Sequence, residues 1–301
     1  AGGPHQHDGS VEGLVAGEQV DVYYHFGLSS ADPVIEDLRD VRAIVMAGSG
    51  RRIDEFARIW SGMNGDAPII ALPKEERFVT RYSAGVLFAS HGMGMPSASI
   101  AVQELMRLVY FLKRGDLDAM AEVFWARVGT SGGVGLPGGT IVVTTEGLMA
   151  DLRPYRVLNG GMGEYWFDST FPRDVAEDIV NANTDGLEVV LGKTVAGNEF
   201  FLEQFRLDGA VCMETPETKM AWLEWIHDNG VRNIEMEGAM LAGYLNHWGF
   251  PRFAMICCTL LDRLQGDQVT ATPEQLGTYS DDSGRALFSY LAATLQPSGP
   301  R

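Results

Sequence analysis

Short apolar runs rich in β-branched residues alternate with amphipathic stretches along most of the chain, and this alternation restricts the fold more than any other feature. Several runs are apolar throughout, which is typical of strands that helices cover on both faces. The pattern therefore predicts an α/β fold in which helices lie on both sides of a largely parallel sheet. The predicted strands are 41–46, 68–72, 84–90, 123–128, 140–145, 187–190, 233–236 and 253–261.

Three helices are indicated by their periodicity or by their first residues. Residues 97–113 carry apolar side chains at spacings of three and four. Thr215 is placed to cap a helix whose first residue is Pro216. The last helix is expected over residues 281–296, with Ser280 as its cap and two acids in its first turn. Ligands of such sheets bind at the carboxyl ends of strands, so a site is expected in the segments that follow them.

Length and composition indicate one domain over residues 1–301. The apolar fraction is 46%, which is enough for a sizeable core, and no internal repeat or Pro/Ser-rich linker divides the chain. Residues 1–15 and 296–301 are small, polar and rich in Pro and Gly, and we expect them to be disordered tails.

The charge of the chain limits its partners. Lys and Arg number 23 against 40 Asp and Glu, a net charge of −17 with no basic stripe. Nucleic acid polymers and anionic membranes are therefore not expected partners, whereas a small anion needs only a local arginine cluster. The three cysteines suit neither a disulfide framework nor a zinc site, and no signal peptide or membrane-spanning run is visible. We expect a cytoplasmic location.

Two strand ends combine glycine with arginine. Gly48 and Arg52 flank a turn between a strand and a helix, where backbone N–H groups and the guanidinium could bind an anion, although an ordinary turn is an even alternative. Arg127 lies in an apolar strand that ends in Thr130 and glycines, where it needs either a bound anion or a buried ion pair, for example with Glu237. Two such ends in one sheet favour convergence on one anion.

Two further segments suit a sugar and a flat ring. The run around Met236 carries acids on both sides, and carboxylates at a strand end can bind vicinal hydroxyls, although one of them could pair with an arginine. Phe200, Gln204 and Arg206 combine an aromatic face with an amide and a planar donor fork, which suits a heterocycle, while a solvated helix face explains the pattern equally well. His91 is interpreted as a structural histidine.

Together these segments resemble the nucleoside phosphorylases, specifically the uridine phosphorylase branch. The similarity extends from about residue 23 to 267, and its most specific pieces are residues 24–28, 90–94, 127–133, 206–209 and 230–237. It implies a three-layer α/β/α sandwich whose mixed sheet curls into a distorted barrel. It also implies phosphorolysis of uridine, or of deoxyuridine or thymidine, by homodimers or trimers of dimers with shared active sites.

The resemblance also implies a role for each matching residue. Arg127, Gln204 and Arg206 would be catalytic; no cofactor or metal is implied, because inorganic phosphate is a co-substrate. Phosphate would be held by Gly48, Arg52, Arg127 and Thr130, with Arg77 of the partner subunit. Ribose would contact Met236 and Glu237, with His25 of the partner subunit. The base would meet Gln204 and Arg206, with Phe200 stacking, Ser131, Gly132, Leu260 and Leu261 lining the pocket, and Arg263 supporting the pair.

Three alternatives stay open at this point. A purine nucleoside phosphorylase would use an acid near the base, and Asp262 lies close to that region. A nucleosidase that uses water would not need three arginines around an attacking anion. A catalytically silent relative should have lost at least one phosphate or base ligand, and every expected position is filled.

Overall fold

One large mixed sheet organises the computed structural model, which describes residues 20–72, 77–183 and 186–295. The expected tails at 1–15 and 296–301 lie outside the described residues. The strands are β1 (Val22–Tyr23), β2 (Leu28–Ser29), β3 (Ala43–Ala47), β4 (Ile70–Ala71), β5 (Thr80–Ser83), β6 (Val86–Ser90), β7 (Phe124–Gly133), β8 (Ile141–Leu148), β9 (Arg156–Leu158), β10 (Glu164–Trp166), β11 (Val189–Ala196), β12 (Val231–Glu235) and β13 (Phe253–Asp262). The helices are α1 (Gly50–Met63), α2 (Met95–Leu112), α3 (Leu117–Ala121), α4 (Arg173–Asn181), α5 (Pro216–Asp228), α6 (Gly238–His247) and α7 (Pro273–Thr294).

Five of the strands close into a barrel. The order β12-β11-β8-β13-β7 is joined into a ring by an antiparallel pairing of β12 with β7, and β3, β6, β5 and β4 continue outward from β7. β7 changes its neighbour along its length. Its first half, up to Arg127, pairs in parallel with β3, whereas Gly132 and Gly133 pair with β12. A gap therefore opens between β3 and β12 directly beyond Arg127. The predicted distorted barrel in a mixed sheet is confirmed.

Helices cover both faces of the sheet, as expected. Successive side chains of β3 point to opposite faces, so Ile44 packs in one core with α2 and α6, and Val45 packs in the other with α1, α4 and α7. Phe56, Trp60 and Phe288 meet in this second core, with ring centroids 5.7–5.8 Å apart between Phe288 and the other two. Each such ring stabilises the fold by roughly 1.5–3 kcal/mol through burial. The three layers follow directly from this two-sided packing.

Several predicted boundaries were wrong. β11 ends at Ala196 rather than at residue 190, and β8 ends at Leu148 rather than at residue 145. The motif that begins at Arg127 was placed at a strand end, but β7 continues to Gly133, because β12 and β13 supply partners for its last residues. The last helix begins at Pro273 rather than at residue 281. Thr272 caps it through a capping box with Gln275, while Ser280 lies inside the helix. The cap predicted for α5 at Thr215 is confirmed.

Candidate active site

A cavity of about 430 Å³ opens where β7 exchanges β3 for β12 as its neighbour. Its wall comes from the ends of β3, β7, β12 and β13 and from the connections that follow β6 and β11. Most of the predicted site residues meet there. They are Gly48, Arg52, Arg127, Thr130, Ser131, Gly132, Phe200, Gln204, Arg206, Met236, Glu237, Leu260, Leu261 and Arg263. The acidic chain thus concentrates four arginines around one cavity.

One end of the cavity is suited to an anion. Gly48 and Ser49 follow β3, and the Ser49 hydroxyl accepts a hydrogen bond from the Arg52 N–H at 3.4 Å as α1 begins. Burial, and then the neighbouring charge of Arg127, lower the pKa of the Arg52 guanidinium. The buried Arg52 Nε has no hydrogen-bond partner among the described residues. An anion between the two guanidiniums would relieve their repulsion and satisfy this donor.

Arg127 combines both roles that its position in an apolar strand allows. Its Nη1 lies 3.1 Å from a Glu235 carboxylate oxygen and 3.1 Å from Cys257 Sγ, and its Nη2 pairs with Glu237. Burial alone would lower the pKa of this guanidinium, but Glu237, Cys257 and Glu235 together raise it above its ordinary value. Arg127 is therefore a charged, ion-paired side chain that also forms part of the cavity wall.

Glu235, the last residue of β12, and Glu237, two residues later, have different surroundings. The Glu235 carboxylate accepts the backbone N–H groups of Glu237 and Gly238, both at 2.8 Å, and burial raises its pKa. Glu237 accepts from the Gly94 N–H at 2.5 Å and from Arg127. Burial opposes the ionised form of Glu237, but Arg127 lowers its pKa below the ordinary value. Glu237 beside Met236 is thus an ionised acceptor in the cavity wall.

The other end of the cavity carries an unpaired amide and a fixed guanidinium. Gln204 is 4% exposed, and its buried Nε2 has no hydrogen-bond partner within the described ranges. Arg206 binds the Asp208 carboxylate with two hydrogen bonds of 2.9 and 2.6 Å, and its guanidinium lies 4.6 Å from the centre of the Phe200 ring. Arg263 donates a hydrogen bond to the main-chain carbonyl of Gln204 at 2.8 Å. A flat ring with carbonyl acceptors would satisfy the free donors here.

Arg77 and His25 lie outside this wall. The Arg77 N–H donates to the His25 carbonyl at 3.1 Å, and His25 Nδ1 is 2.6 Å from the Glu104 carboxylate. Both were predicted to serve the site of a partner subunit, and their position apart from the cavity of their own chain is compatible with that prediction.

Sequence reasoning missed several residues of the wall. Gly92 and Met93 lie within residues 90–94, which carry part of the resemblance, and Ser49 lies in the turn between Gly48 and Arg52. Ile234 and Glu235 belong to the run around Met236. Nothing in the local pattern marked Asp267 or Val269. The missed residues are Ser49, Gly92, Met93, Ile234, Glu235, Asp267 and Val269.

His91 is buried and directly precedes Gly92 of the cavity wall. It is 1% exposed, and neither of its ring nitrogens has a partner among the residues described. Burial lowers its pKa to about 4, so the ring is neutral at physiological pH. The interpretation of His91 as a structural residue agrees with its absence from the wall.

Among the described residues, no group of three or more His, Cys, Asp or Glu side chains is arranged to hold a metal ion. Within the same ranges, no helix has the length and apolar character that crossing a membrane requires.

Comparison with known proteins identifies the family. The sequence profile of the phosphorylase superfamily matches residues 42–295, and the chain belongs to that superfamily. Its relatives there are uridine phosphorylases, which confirms the resemblance. It is 32% identical to uridine phosphorylase A of Schistosoma mansoni, over 90% of this chain and 91% of that protein. It is also 32% identical to inactive uridine phosphorylase B of S. mansoni, with the same coverage.

A solved structure supports the same assignment. The crystal structure of uridine phosphorylase from S. mansoni in complex with thymidine superposes with a TM-score of 0.85 at 30% identity, covering 95% of this chain and 97% of that one.

Proposed function

We propose that the protein cleaves uridine with inorganic phosphate, giving uracil and ribose 1-phosphate, and that deoxyuridine or thymidine can replace uridine. The observation that carries this proposal is that one cavity combines three kinds of groups. Arg52 and Arg127 are suited to phosphate, Glu237 beside Arg127 to the hydroxyls of ribose, and Gln204 with Arg206 to a pyrimidine. The thymidine bound to the S. mansoni relative supports the wider substrate range.

The chemistry follows from where charge develops. Breaking the glycosidic bond leaves positive charge on the sugar and negative charge on the departing base. Phosphate is already anionic, so the arginines need only hold it beneath the anomeric carbon, and positioning is their main contribution. Glu237 is the acceptor for the ribose hydroxyls. Gln204 and Arg206 stabilise the base anion as it forms, and no cofactor is needed for any of these steps.

The site geometry disfavours the purine alternative. The Asp262 carboxylate accepts the backbone N–H groups of Gly135 and Leu264, both at 3.0 Å, and Asp262 does not line the cavity. It is therefore occupied in a structural role and is not placed to protonate a purine.

The residues of the cavity wall bear on the alternative that this chain is a catalytically silent relative. Similarity to an active and to an inactive relative is equal, so identity alone does not decide between them. Every predicted phosphate and base ligand of this chain except Arg77 lines the cavity, and this favours an active enzyme.

The direct test is uracil release from uridine, followed by ultraviolet absorbance with and without phosphate, and with inosine alongside. We expect phosphate-dependent cleavage of uridine and none of inosine. Arg206→Ala should lower kcat/KM about 10²–10³-fold, because one donor to the developing anion is lost. Arg58→Ala, at an exposed ion pair with Glu55, is the matched control. Cleavage without phosphate, cleavage of inosine, or no activity would each contradict the proposal.

Self-association and location belong to the same proposal. A homodimer, or a trimer of dimers, would bring Arg77 and His25 of the partner subunit to the open side of the cavity. The cytoplasmic location is supported by the three cysteines, which are all unpaired.

A further inference from the structure

Three buried charged side chains form an ion chain at the base end of the cavity, and two of them, Arg263 and Asp267, are part of its wall. Arg263, which follows β13, donates from Nη2 to the Gln204 carbonyl at 2.8 Å, and its Nε pairs with Asp267. The other oxygen of Asp267 is 2.6 Å from Nζ of Lys219 in α5. This ion chain joins α5, the segment after β13 and the connection between β11 and α5 that carries Gln204.

All three members of the ion chain are nearly excluded from water. Arg263 is 1% and Lys219 is 7% exposed, and the Asp267 side chain is 8% exposed. Lysine is rarely buried unless it is paired, and a buried ion pair often stabilises a fold no better than apolar side chains of the same size. A role in fixing local geometry accounts for such a costly arrangement better than a role in stability.

The geometry in question is that of the main chain at Gln204. The next residue, Phe205, has a φ of 52°, in the left-handed region that residues other than glycine rarely adopt, and its ring is stacked on Trp222. A Cβ on Gly197 would lie 3.0 Å from Cγ of Gln204, so the side chain has little freedom of its own. The direction of the Gln204 amide is therefore set by where its backbone is held, and Arg263 holds that backbone.

We propose that Lys219 and Asp267 are positioning residues for base recognition. They hold the Arg263 guanidinium in place, and Arg263 in turn holds the main-chain carbonyl of Gln204. The unpaired side-chain Nε2 of Gln204 is thereby directed toward a carbonyl of the base. Lys219 itself is absent from the cavity wall and acts only through Asp267 and Arg263. This inference rests on the proposed function and adds two residues to it.

Lys219→Met tests the inference, because it keeps the length of the side chain and removes its charge. We expect a rise in the uridine KM, a fall in kcat/KM of about tenfold to a hundredfold, and an unchanged phosphate KM, because supporting residues act on the group they orient. Lys219→Arg should restore most of the activity. Lys193→Met is the matched control, since Lys193 pairs with Glu146 at 2.9 Å on an accessible surface.

A double-mutant cycle tests whether Lys219 acts through Arg263. Once Arg263→Met has removed the link to Gln204, adding Lys219→Met should cause no further loss of kcat/KM. A further loss as large as the loss in wild type would overturn the inference. Should Lys219→Met not fold, the nearly isosteric Asp267→Asn carries the same cycle.

Uracil binding, measured by calorimetry, separates this inference from the proposed function. Wild type that neither binds uracil nor cleaves uridine would overturn both. Active wild type whose uracil affinity and kinetics are unchanged by Lys219→Met would overturn the inference alone. Tenfold weaker uracil binding in Lys219→Met, with phosphate affinity intact, is the expected result.

Discussion

At the scale of single residues, the two arginines at the anion end of the cavity contribute differently, one mainly to stability and the other mainly to anion binding. Arg52 and Arg127 both face the anion end of the cavity, but Arg127 is neutralised by two carboxylates, whereas Arg52 is held near another cation. The first arrangement contributes to the fold, and the second is of use only when an anion is bound. The two arginines should therefore respond differently to substitution.

Arg52→Ala should weaken phosphate binding roughly 10–100-fold, the worth of a charge-assisted hydrogen bond, and leave the free energy of unfolding unchanged or higher. Arg127→Ala should reduce the free energy of unfolding by about 3–5 kcal/mol, because it leaves two buried carboxylates without their cation. Urea unfolding without phosphate, together with phosphate-dependent kinetics, checks both. Equal destabilisation by the two variants would contradict this division of roles.

The neutral, buried His91 predicts a pH dependence of stability. The unfolded ring binds a proton below about pH 6.5, whereas the folded ring does so only near pH 4. Above pH 6.5 the protonation of His91 therefore does not affect stability. As the pH drops from 6.5 toward 4, the free energy of unfolding falls by roughly 3 kcal/mol because of this group. In His91→Phe this contribution should vanish. Urea unfolding of both proteins between pH 4 and 7 measures it, and parallel curves would disprove it.

At the scale of elements, the sequence predicts those strands and helix ends that depend on residues close together in the chain. Apolar runs located most strands, and Thr215 with Pro216 located the start of α5. The hairpin between β5 and β6 was missed because Ala84, at φ 46°, adopts a conformation usually left to glycine or asparagine. The full length of β7 was missed because β12, which pairs with its end, lies about a hundred residues further along the chain.

The start of α7 can be tested by removing each candidate cap. Thr272→Ala should destabilise the protein by about 1 kcal/mol, because the backbone N–H of Gln275 loses the Thr272 hydroxyl that accepts its hydrogen bond. Ser280→Ala, at the cap that the sequence suggested, should cost less than about 0.5 kcal/mol, because alanine favours a helix interior. Thermal unfolding of both variants measures the difference, and a larger effect at Ser280 would argue for the later start.

At the scale of the whole molecule, the site is assembled from segments far apart in sequence. The Gly48, Arg127 and Gln204 segments could each be singled out because glycine, arginine and amide side chains stand out against apolar strands. Asp267 could not, because its significance lies in contacts with Lys219 and Arg263 that only the folded chain creates. Sequence therefore predicts ligands of the site better than it predicts what supports them.

The proposed sharing of sites between subunits predicts complementation. Arg77→Ala and Arg206→Ala should each be nearly inactive alone, but in a mixed dimer one site receives an intact Arg77 from the partner subunit and keeps its own Arg206. Random mixing of equal amounts should restore about a quarter of wild-type activity, since half the dimers are mixed and each has one intact site. Activity that stays at the level of the single variants would show that Arg77 serves its own chain.

The two ends of the cavity are built from different elements, and this affects how the base preference of the enzyme could be engineered. Its anion end is built from β7 and from the turn between β3 and α1, whereas Phe200, Gln204 and Arg206 all lie on the single connection between β11 and α5. A graft of this connection from a relative with another preference, made together with its anchors at Arg263, Asp267 and Lys219, would exchange the recognised heterocycle. The phosphate and the ribose would still meet an unaltered scaffold.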